Sequence, residues 1–122
     1  MSNRLKILFV DDELVILKAM ELVLGESHDI ITAKKASEAF DILDQHQDIQ
    51  VLVSDMKMPE WDGLELIRQV KKTRPEIKCY LLTGFEMNAE IAESIENGTV
   101  IRLIQKPIEL NVLIDTIQGD FN

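Results

Sequence analysis

The stretch that decides the fold is residues 5–13, Leu-Lys-Ile-Leu-Phe-Val-Asp-Asp-Glu, in a chain of 122 residues. Its first part, Leu5–Val10, is rich in Val, Ile and Leu, which indicates a buried strand. Three acidic residues follow the strand directly. Working outward from here, the same apolar pattern recurs along the chain.

Five apolar runs of this kind alternate with stripes of apolar residues at helical spacing. The other predicted strands are Ile30–Ala33, Val51–Ser54, Lys78–Thr83 and Val100–Ile104. The helical stripes are Leu17/Met20/Leu24, Ala36/Ala39/Phe40/Leu43, Gly63/Leu66/Ile67/Val70, Met87/Ile91/Ile95 and Leu110/Leu113/Ile114/Ile117. Strands that are apolar throughout suit a parallel sheet covered on both faces. The pattern predicts an α/β fold: a doubly wound, flavodoxin-like (βα)₅ sheet with strand order 2-1-3-4-5.

Composition excludes several classes of protein. With 13 basic and 22 acidic residues the net charge is −9, which opposes binding to nucleic acid or an anionic membrane. The single cysteine, Cys79, excludes an internal disulfide framework and is expected to be buried. No run approaches the roughly 18 apolar residues of a membrane span, and the N-terminus has no signal-peptide pattern. We therefore expect one cytoplasmic domain over residues 1–122, with any output domain absent from this chain.

Polar residues stand at the ends of four predicted strands, which meet at one edge of such a sheet. They are Asp11-Asp12-Glu13, Asp55, Thr83-Gly84 and Lys106-Pro107. Taken singly, each has an ordinary explanation: aspartates cap helices and begin turns, threonine suits strands, and lysines are mostly solvated. Four such coincidences at adjacent strand ends favour a functional site.

The chemistry of this cluster follows from its charge. Three carboxylates in one crevice repel one another unless a cation neutralises them. An all-oxygen ligand set suits Mg²⁺, whereas Zn²⁺ prefers His and Cys ligands. Asp55 is the candidate nucleophile and would form an acyl phosphate, with Lys106 neutralising charge on the phosphoryl oxygens.

The sequence resembles the receiver domain of two-component response regulators over nearly its whole length. The resemblance is carried, in order, by residues 7–13 (ILFVDDE), 53–64 (VSDMKMPEWDGL), 81–84 (LLTG) and Lys106-Pro107. It implies that Asp55 is the phosphoacceptor, that Thr83 turns to hydrogen-bond the phosphoryl group and that Lys106 contacts a phosphoryl oxygen. It also implies a cis Lys106–Pro107 bond.

The resemblance further implies a Mg²⁺ site and a signalling role. Asp12 would bind the metal directly, Asp11 through water, and Asp55 and the backbone carbonyl of Lys57 would complete the protein ligands. A histidine kinase or phosphotransfer protein would supply the phosphoryl group, and a partner or output domain would respond. Such a module assists its own phosphorylation but is not an enzyme in the usual sense. Lys57 and Phe85 would flank the water that later hydrolyses the acyl phosphate.

One position departs from the family pattern. Three residues before Lys106 the family usually has an aromatic residue that reports phosphorylation by a ring swing, and here that residue is Leu103. This keeps open a degenerate receiver that acts only as a protein-interaction module. Two other classes fit less well: a phosphatase would need an aspartate where Lys57 stands, and a nucleotide or flavin binder would need a glycine-rich loop after the first strand.

Three further features of the sequence have no assigned part in the phosphorylation chemistry. Glu86, Glu90, Glu93 and Glu96 form an acidic helix face that is either solvated or part of a partner surface. Trp61 is expected in a surface loop near the crevice. The two histidines, His28 and His46, are expected on the surface, without a metal or phosphotransfer role.

Overall fold

The fold is described by a computed structural model that covers residues 4–84 and 87–121. Strands and helices alternate strictly along the chain. The strands are β1 (Lys6–Val10), β2 (Asp29–Ala33), β3 (Val51–Asp55), β4 (Lys78–Thr83) and β5 (Arg102–Gln105). The helices are α1 (Leu14–Leu24), α2 (Ala36–Gln45), α3 (Gly63–Thr73), α4 (Ala89–Glu96) and α5 (Leu110–Gly119).

All five strands pair in parallel in the order β2-β1-β3-β4-β5, which confirms the predicted flavodoxin-like topology. The register pairs Val10 with Ser54, and Asp55 with Leu82. Because the strands run in one direction, their carboxyl ends lie along a single edge. The chain order reverses between β1 and β3, the switch point where doubly wound folds place their sites.

Apolar side chains fill both faces of the sheet. One buried cluster, which includes Leu8, Leu52 and Leu81, packs under α2, α3 and α4. The other, which includes Phe9, Val53 and Tyr80, packs under α1 and α5. Every residue of β3 is buried, whereas the edge strands β2 and β5 are partly exposed. The end of β3, where Asp55 lies, is therefore set in the packed core.

The turn from β3 into α3 brings backbone against backbone. A Cβ on Gly63 would lie 2.2 Å from the carbonyl oxygen of Asp55 and 2.9 Å from the Ser54 hydroxyl. Gly63 N–H also donates to the Met56 carbonyl at 2.9 Å. Asp62 caps the helix, since its side chain accepts from Glu65 N–H at 2.8 Å. Only glycine permits this approach, which fixes the loop after Asp55.

Helix α5 is tied to the sheet near its C-terminal end. The Asp120 carboxylate accepts from the Tyr80 hydroxyl at 2.6 Å and from two nitrogens of Arg102 at 2.8 and 2.7 Å. The Arg102 hydrogen bond holds the pKa of Asp120 below its usual value. Burial and the hydrogen bond to Asp120 raise the pKa of Tyr80. The residue that follows α5 is thus joined to β4 and β5 by a charged hydrogen-bond network.

Two segment boundaries differ from the sequence prediction by two residues, and several strand ends differ by one. Met87, the first residue of the fourth predicted stripe, is 55% exposed and precedes α4, which begins at Ala89 behind an Asn88 cap. Strand β5 begins at Arg102 rather than Val100, because Val100 N–H pairs with the Ser94 carbonyl in the turn that follows α4. Glu90, Glu93 and Glu96 are exposed on α4, whereas Glu86 lies outside the described residues.

The expectation that both histidines lie on the surface was wrong for His28. This side chain is 1% exposed, and its Nδ1 accepts from Leu5 N–H at 3.0 Å. Its Nε2 lies 3.2 Å from the Gln118 side-chain nitrogen on α5. Burial first, and then the charge of Arg4, lowers the pKa of His28, while Asp29 opposes the shift. His28 therefore joins the residue that precedes β1 to α5, and its Nδ1 accepts a hydrogen bond, as an unprotonated ring nitrogen does.

Two expectations from composition are also tested. Cys79 is 1% exposed, as predicted, and burial raises the pKa of its thiol to about 12. Among the described residues, no helix is long and apolar enough to cross a membrane.

Gly63→Ala is expected to destabilise the fold by about 3 kcal/mol, because the added Cβ meets a backbone oxygen that cannot move freely. Gly119→Ala is the matched control, since a Cβ there meets nothing within 4 Å. The control should change stability by less than about 1 kcal/mol. Urea unfolding followed by circular dichroism measures both. Equal midpoints for the two variants would contradict the close approach.

The neutral state of His28 predicts a loss of stability in acid. Its folded pKa lies below 6.5, so its contribution is complete above that value and is lost as the pH falls toward the folded pKa. As the pH falls below 6.5, the unfolding free energy should fall more steeply in the wild type than in His28→Gln. An NMR titration of the His28 ring with a midpoint at or above 6.5 would contradict this assignment.

Candidate phosphoacceptor and metal site

The site lies where β1, β3, β4 and β5 end. Asp11 and Asp12 follow β1, Asp55 ends β3, Thr83 ends β4, and Lys106 follows β5. The structure brings a carboxylate oxygen from each of Asp11, Asp12 and Asp55 within 4.8 Å of the others. Asp11 and Asp55 are buried, whereas Asp12 is exposed. An oxygen cluster open on one side can receive a cation from solvent.

Asp11 is the most constrained of the three carboxylates. It is 2% exposed, and its Oδ1 accepts from Glu13 N–H at 2.9 Å. Its Oδ2 is buried and has no hydrogen-bond partner among the described residues. Burial raises the pKa of Asp11, the Glu13 backbone hydrogen bond opposes this, and the charge of Asp55 adds to it. A buried carboxylate oxygen without a partner is costly, which favours binding of a cation or an ordered water there.

Lys106 supplies positive charge from the opposite side of the site. Its Nζ lies 3.0 Å from Asp55 Oδ1 and 3.7 Å from Asp11 Oδ2, with Glu13 Oε1 at 4.0 Å. Partial burial opposes the ammonium charge, but the hydrogen bond to Asp55 and the nearby carboxylates raise the pKa of Lys106 overall. Lys106 is therefore a fixed cation bound directly to the candidate nucleophile.

Backbone contacts set the position of Lys106. Its N–H donates to the Thr83 carbonyl at 2.8 Å, which joins it to the end of β4. The Lys106–Pro107 peptide bond is cis, as the family resemblance implied. The two residues that were predicted separately from β4 and β5 thus lie side by side.

The loop between β3 and α3 forms one wall of the site. Lys57 lies in this loop, two residues beyond Asp55, and is exposed. Met56 N–H donates to the Leu82 carbonyl at 2.8 Å, which anchors the loop on β4. Glu60 adopts φ 73°, and Trp61 packs edge-on against Phe40 of α2 with ring centroids 5.6 Å apart. Trp61 is 40% exposed, in the surface loop where the sequence placed it.

Thr83 lies at the edge of a cavity that the sequence did not indicate. Thr83 is 7% exposed, and the cavity beside it has a volume of about 340 Å³. The other lining residues come from the β3–α3 loop and from α4 with its cap: Met56, Lys57, Met58, Asp62, Asn88 and Ile91. A single sequence carries no signal for this cavity, because its lining comes from separate segments of the chain. The cavity leaves room for movement near Thr83.

Leu103 and Phe85 were singled out in the sequence because they affect two expected processes. These are the transmission of phosphorylation to the rest of the domain and the hydrolysis of the acyl phosphate. Leu103 is partly buried on β5, pairs with Leu81 and packs against the core under α2, α3 and α4. It fills its position as a core residue does. Phe85, expected to flank the approaching water, lies outside the described residues.

Glu13 was noted in the sequence only as part of an acidic run, yet it contacts Lys106 and donates its N–H to Asp11.

Comparison with known families decides what this arrangement is. The sequence profile of the response regulator receiver domain matches residues 7–118. This chain belongs to the response regulator receiver domain family. It is a phosphorelay signalling module of the two-component type, as the order of the four motifs predicted.

Individual relatives of this receiver domain share its sequence and fold. The chemotaxis protein CheY homolog of Campylobacter jejuni is 30% identical over 118 residues, which are 93% of this chain and 90% of that protein. The hydrogenase transcriptional regulatory protein HoxA of Cupriavidus necator is 30% identical over 112 residues. A crystal structure of a CheY-like receiver domain protein from Methanospirillum hungatei superposes with a TM-score of 0.86 at 26% identity, over 97% of this chain and 94% of that one.

The relatives differ in how much of their length the match includes. The 112 matched residues are 92% of this receiver domain but 23% of HoxA, and 25% of the transcriptional regulatory protein GlrR of Escherichia coli. The chain thus spans about a quarter of the length of these curated regulators. It spans most of the CheY homolog.

Proposed function

We propose that this receiver domain accepts a phosphoryl group on Asp55 from a phosphohistidine of a sensor kinase or phosphotransfer protein. The observation that carries the proposal is the contact between Lys106 Nζ and Asp55 Oδ1 at 3.0 Å, beside two further carboxylates. The positive charge of Lys106 reduces the repulsion between the anionic nucleophile and the anionic phosphoryl donor. A lysine bound to the nucleophile is positioned for the oxygens of the incoming group.

The transfer forms one bond and breaks one. An Asp55 carboxylate oxygen forms a bond to phosphorus as the donor's P–N bond breaks, and the imidazole leaves with the electron pair. The Asp55 charge of −1 is replaced by about −2 on the acyl phosphate. Lys106 can contact the oxygens of the phosphoryl group because its Nζ already lies within 4.0 Å of carboxylate oxygens of Asp11, Glu13 and Asp55.

The residues present fit a magnesium ion. The cluster of three carboxylates supplies the hard oxygen donors that Mg²⁺ prefers, and among the described residues the Oδ2 of buried Asp11 has no hydrogen-bond partner. We assign Asp12 and Asp55 as direct ligands, Asp11 as a ligand through water, and the Lys57 carbonyl as the remaining protein ligand. When bound, Mg²⁺ neutralises charge on the phosphoryl oxygens. In the part of the chain that the structure describes, Lys106 is the only basic side chain within 4.0 Å of Asp11 or Asp55.

Thr83 is the residue through which we expect phosphorylation to reach the rest of the domain. Its hydroxyl stands at the end of β4, and the cavity of about 340 Å³ beside it leaves room for the loop and α4 to rearrange. A hydrogen bond from Thr83 to the phosphoryl group would favour one of two conformations. Because Leu103 has no ring to swing, the readout is assigned to α4 and its cap at Asn88.

The wider role is proposed from the same observations. Residues 1–122 form one receiver domain whose conformational change controls a downstream partner or an output domain, in the cytoplasm. The net charge of −9 makes this domain a poor ligand for DNA, so contact with DNA is assigned to another domain or protein. The domain assists its own phosphorylation and dephosphorylation and turns over no separate substrate.

Acetyl phosphate with Mg²⁺ should add one phosphoryl group to the wild type and none to Asp55→Asn. Intact-mass spectrometry measures the addition. Asp41→Asn is the matched control, since Asp41 is an exposed aspartate on α2 and should leave phosphorylation unchanged. Phosphorylation of Asp55→Asn at the wild-type rate, or of the wild type in the presence of a chelator, would contradict the assigned site.

Mg²⁺ should stabilise the unphosphorylated domain, because a ligand that binds the folded state alone raises the unfolding free energy. The gain is about 1.4 kcal/mol when free Mg²⁺ is ten times its dissociation constant. Asp12→Asn should abolish most of the gain, whereas Asp41→Asn should retain it. Thermal unfolding in MgCl₂ is compared with unfolding in NaCl at equal ionic strength. An equal gain in Asp12→Asn would remove Asp12 from the ligand set.

A further inference from the structure

The backbone of the loop between β3 and α3 is strained at Glu60. This residue has φ 73°, and within residues 4–84 and 87–121 no other residue except glycine has a positive φ. Trp61 N–H donates to the Pro59 carbonyl at 2.9 Å, which closes a three-residue γ-turn around Glu60. A residue with a side chain keeps such a conformation only where the surrounding structure holds it there. The contacts of Glu60 and its neighbour show what holds this turn.

Glu60 and Trp61 both contact the beginning of α2. Glu60 Oε1 accepts from Ser37 N–H at 3.4 Å, and the Trp61 ring packs edge-on against Phe40, one helical turn further on. The first N–H groups of a helix have no partner within the helix. Lys35, the residue before α2, forms no side-chain cap, so the Glu60 carboxylate fills this role from another segment. We call this pair of contacts the α2 clamp.

The α2 clamp holds the middle of a loop whose two ends are fixed separately. Met56 N–H donates to a carbonyl of β4, and the Met56 carbonyl accepts from Gly63 N–H, so backbone hydrogen bonds fix both ends. Met58 packs against the core under α2, α3 and α4, whereas Lys57 before it and Glu60 after it are exposed. The contacts with α2 therefore limit the movement of the exposed part of the loop.

The position of this loop matters for the metal site, because the ligand that the loop provides is a backbone group. A side-chain ligand can adjust its rotamer, but the position of the Lys57 carbonyl depends on the loop conformation alone. Mg²⁺ demands near-ideal octahedral geometry, so a loop that moves freely offers a weaker ligand than a loop that is held.

We propose that Glu60 and Trp61 are positioning residues for the metal site, because they attach the loop that carries the Lys57 carbonyl to α2. The inference rests on the proposed role of Lys57 as a Mg²⁺ ligand. Coupling between two sites is reciprocal, so Mg²⁺ in turn stabilises the first turn of α2. Helix α2 thereby responds to metal binding through the Glu60 carboxylate and the Trp61 ring.

Substitutions at Glu60 separate positioning from charge and from stability. Glu60→Gln removes the charge but keeps an oxygen that can accept from Ser37 N–H, so the Mg²⁺ dissociation constant should stay within about twofold of the wild-type value. Glu60→Gly removes the acceptor and should raise the dissociation constant about fivefold. Titration with MgCl₂ at constant ionic strength, followed by NMR, measures both.

Thermal unfolding without Mg²⁺ distinguishes positioning from a merely structural role. Glycine adopts φ 73° without strain, so Glu60→Gly should unfold at no lower temperature than Glu60→Gln. Weaker metal binding in a variant of undiminished stability is the result that positioning predicts.

Substitutions at Trp61 test the other contact of the α2 clamp. Trp61→Phe keeps an aromatic ring beside Phe40, whereas Trp61→Leu does not, so Trp61→Leu alone should raise the Mg²⁺ dissociation constant, by about threefold. Circular dichroism confirms that both variants fold.

Hydrogen exchange at the Ser37 amide tests the reciprocal effect. Mg²⁺ should slow this exchange in the wild type and in Glu60→Gln, because the loop that carries the acceptor is then held more firmly. In Glu60→Gly the same addition should leave the exchange rate unchanged.

Three results would overturn the proposal. The first is Mg²⁺ binding by Glu60→Gly that is as tight as in the wild type. The second is an equal loss of affinity in Glu60→Gly and Glu60→Gln, which would assign the effect to charge. The third is wild-type exchange at Ser37 that does not respond to Mg²⁺. Wild type and Asp12→Asn are titrated in parallel, so failure of the metal site itself, seen as a wild type that binds no Mg²⁺, is distinguished from failure of the α2 clamp.

Discussion

The carboxylates of Asp11, Asp12 and Asp55 repel one another, yet the sheet holds an oxygen of each within 4.8 Å of the others. Parallel pairing imposes this closeness, because β1 and β3 are neighbours and end at the same edge. Lys106 relieves part of the repulsion through its 3.0 Å contact with Asp55, and its place is set by a backbone bond to Thr83. Asp11 Oδ2 still has no hydrogen-bond partner among the described residues, which favours a cation beside it.

The features that were predictable from sequence are those that depend on strand ends. In a parallel sheet, residues that end or directly follow a strand lie at the carboxyl edge. This rule predicted that one edge holds the five site residues, which are Asp11, Asp12, Asp55, Thr83 and Lys106. The strand order followed from the alternation of strands and helices. Asp62 as a helix cap was also predictable, since aspartate at that position accepts from the N–H three residues later.

The features that were missed depend on contacts between distant parts of the chain. His28 looked isolated in sequence, but its partners are Leu5 and Gln118, 23 and 90 residues away. Met87 fitted the helical stripe, yet the Asn88 side chain caps α4 and starts the helix after it. The cavity beside Thr83 is formed by residues from two loops and a helix, none of which has a distinctive type. The hydrophobic pattern of a sequence predicts which face of an element a residue occupies. Its contacts with residues far away in the chain can be identified only from the folded structure.

The contact between Trp61 and Phe40 has a practical consequence. The chain contains one tryptophan, so its intrinsic emission at long excitation wavelengths comes from a single point in the loop that follows Asp55. The indole packs edge-on against Phe40 and is 40% exposed. A small displacement of the loop would therefore change the polarity around the indole and the quenching of its fluorescence. The native protein therefore carries its own optical probe of this wall, and stopped-flow recordings can follow the loop in unlabelled protein.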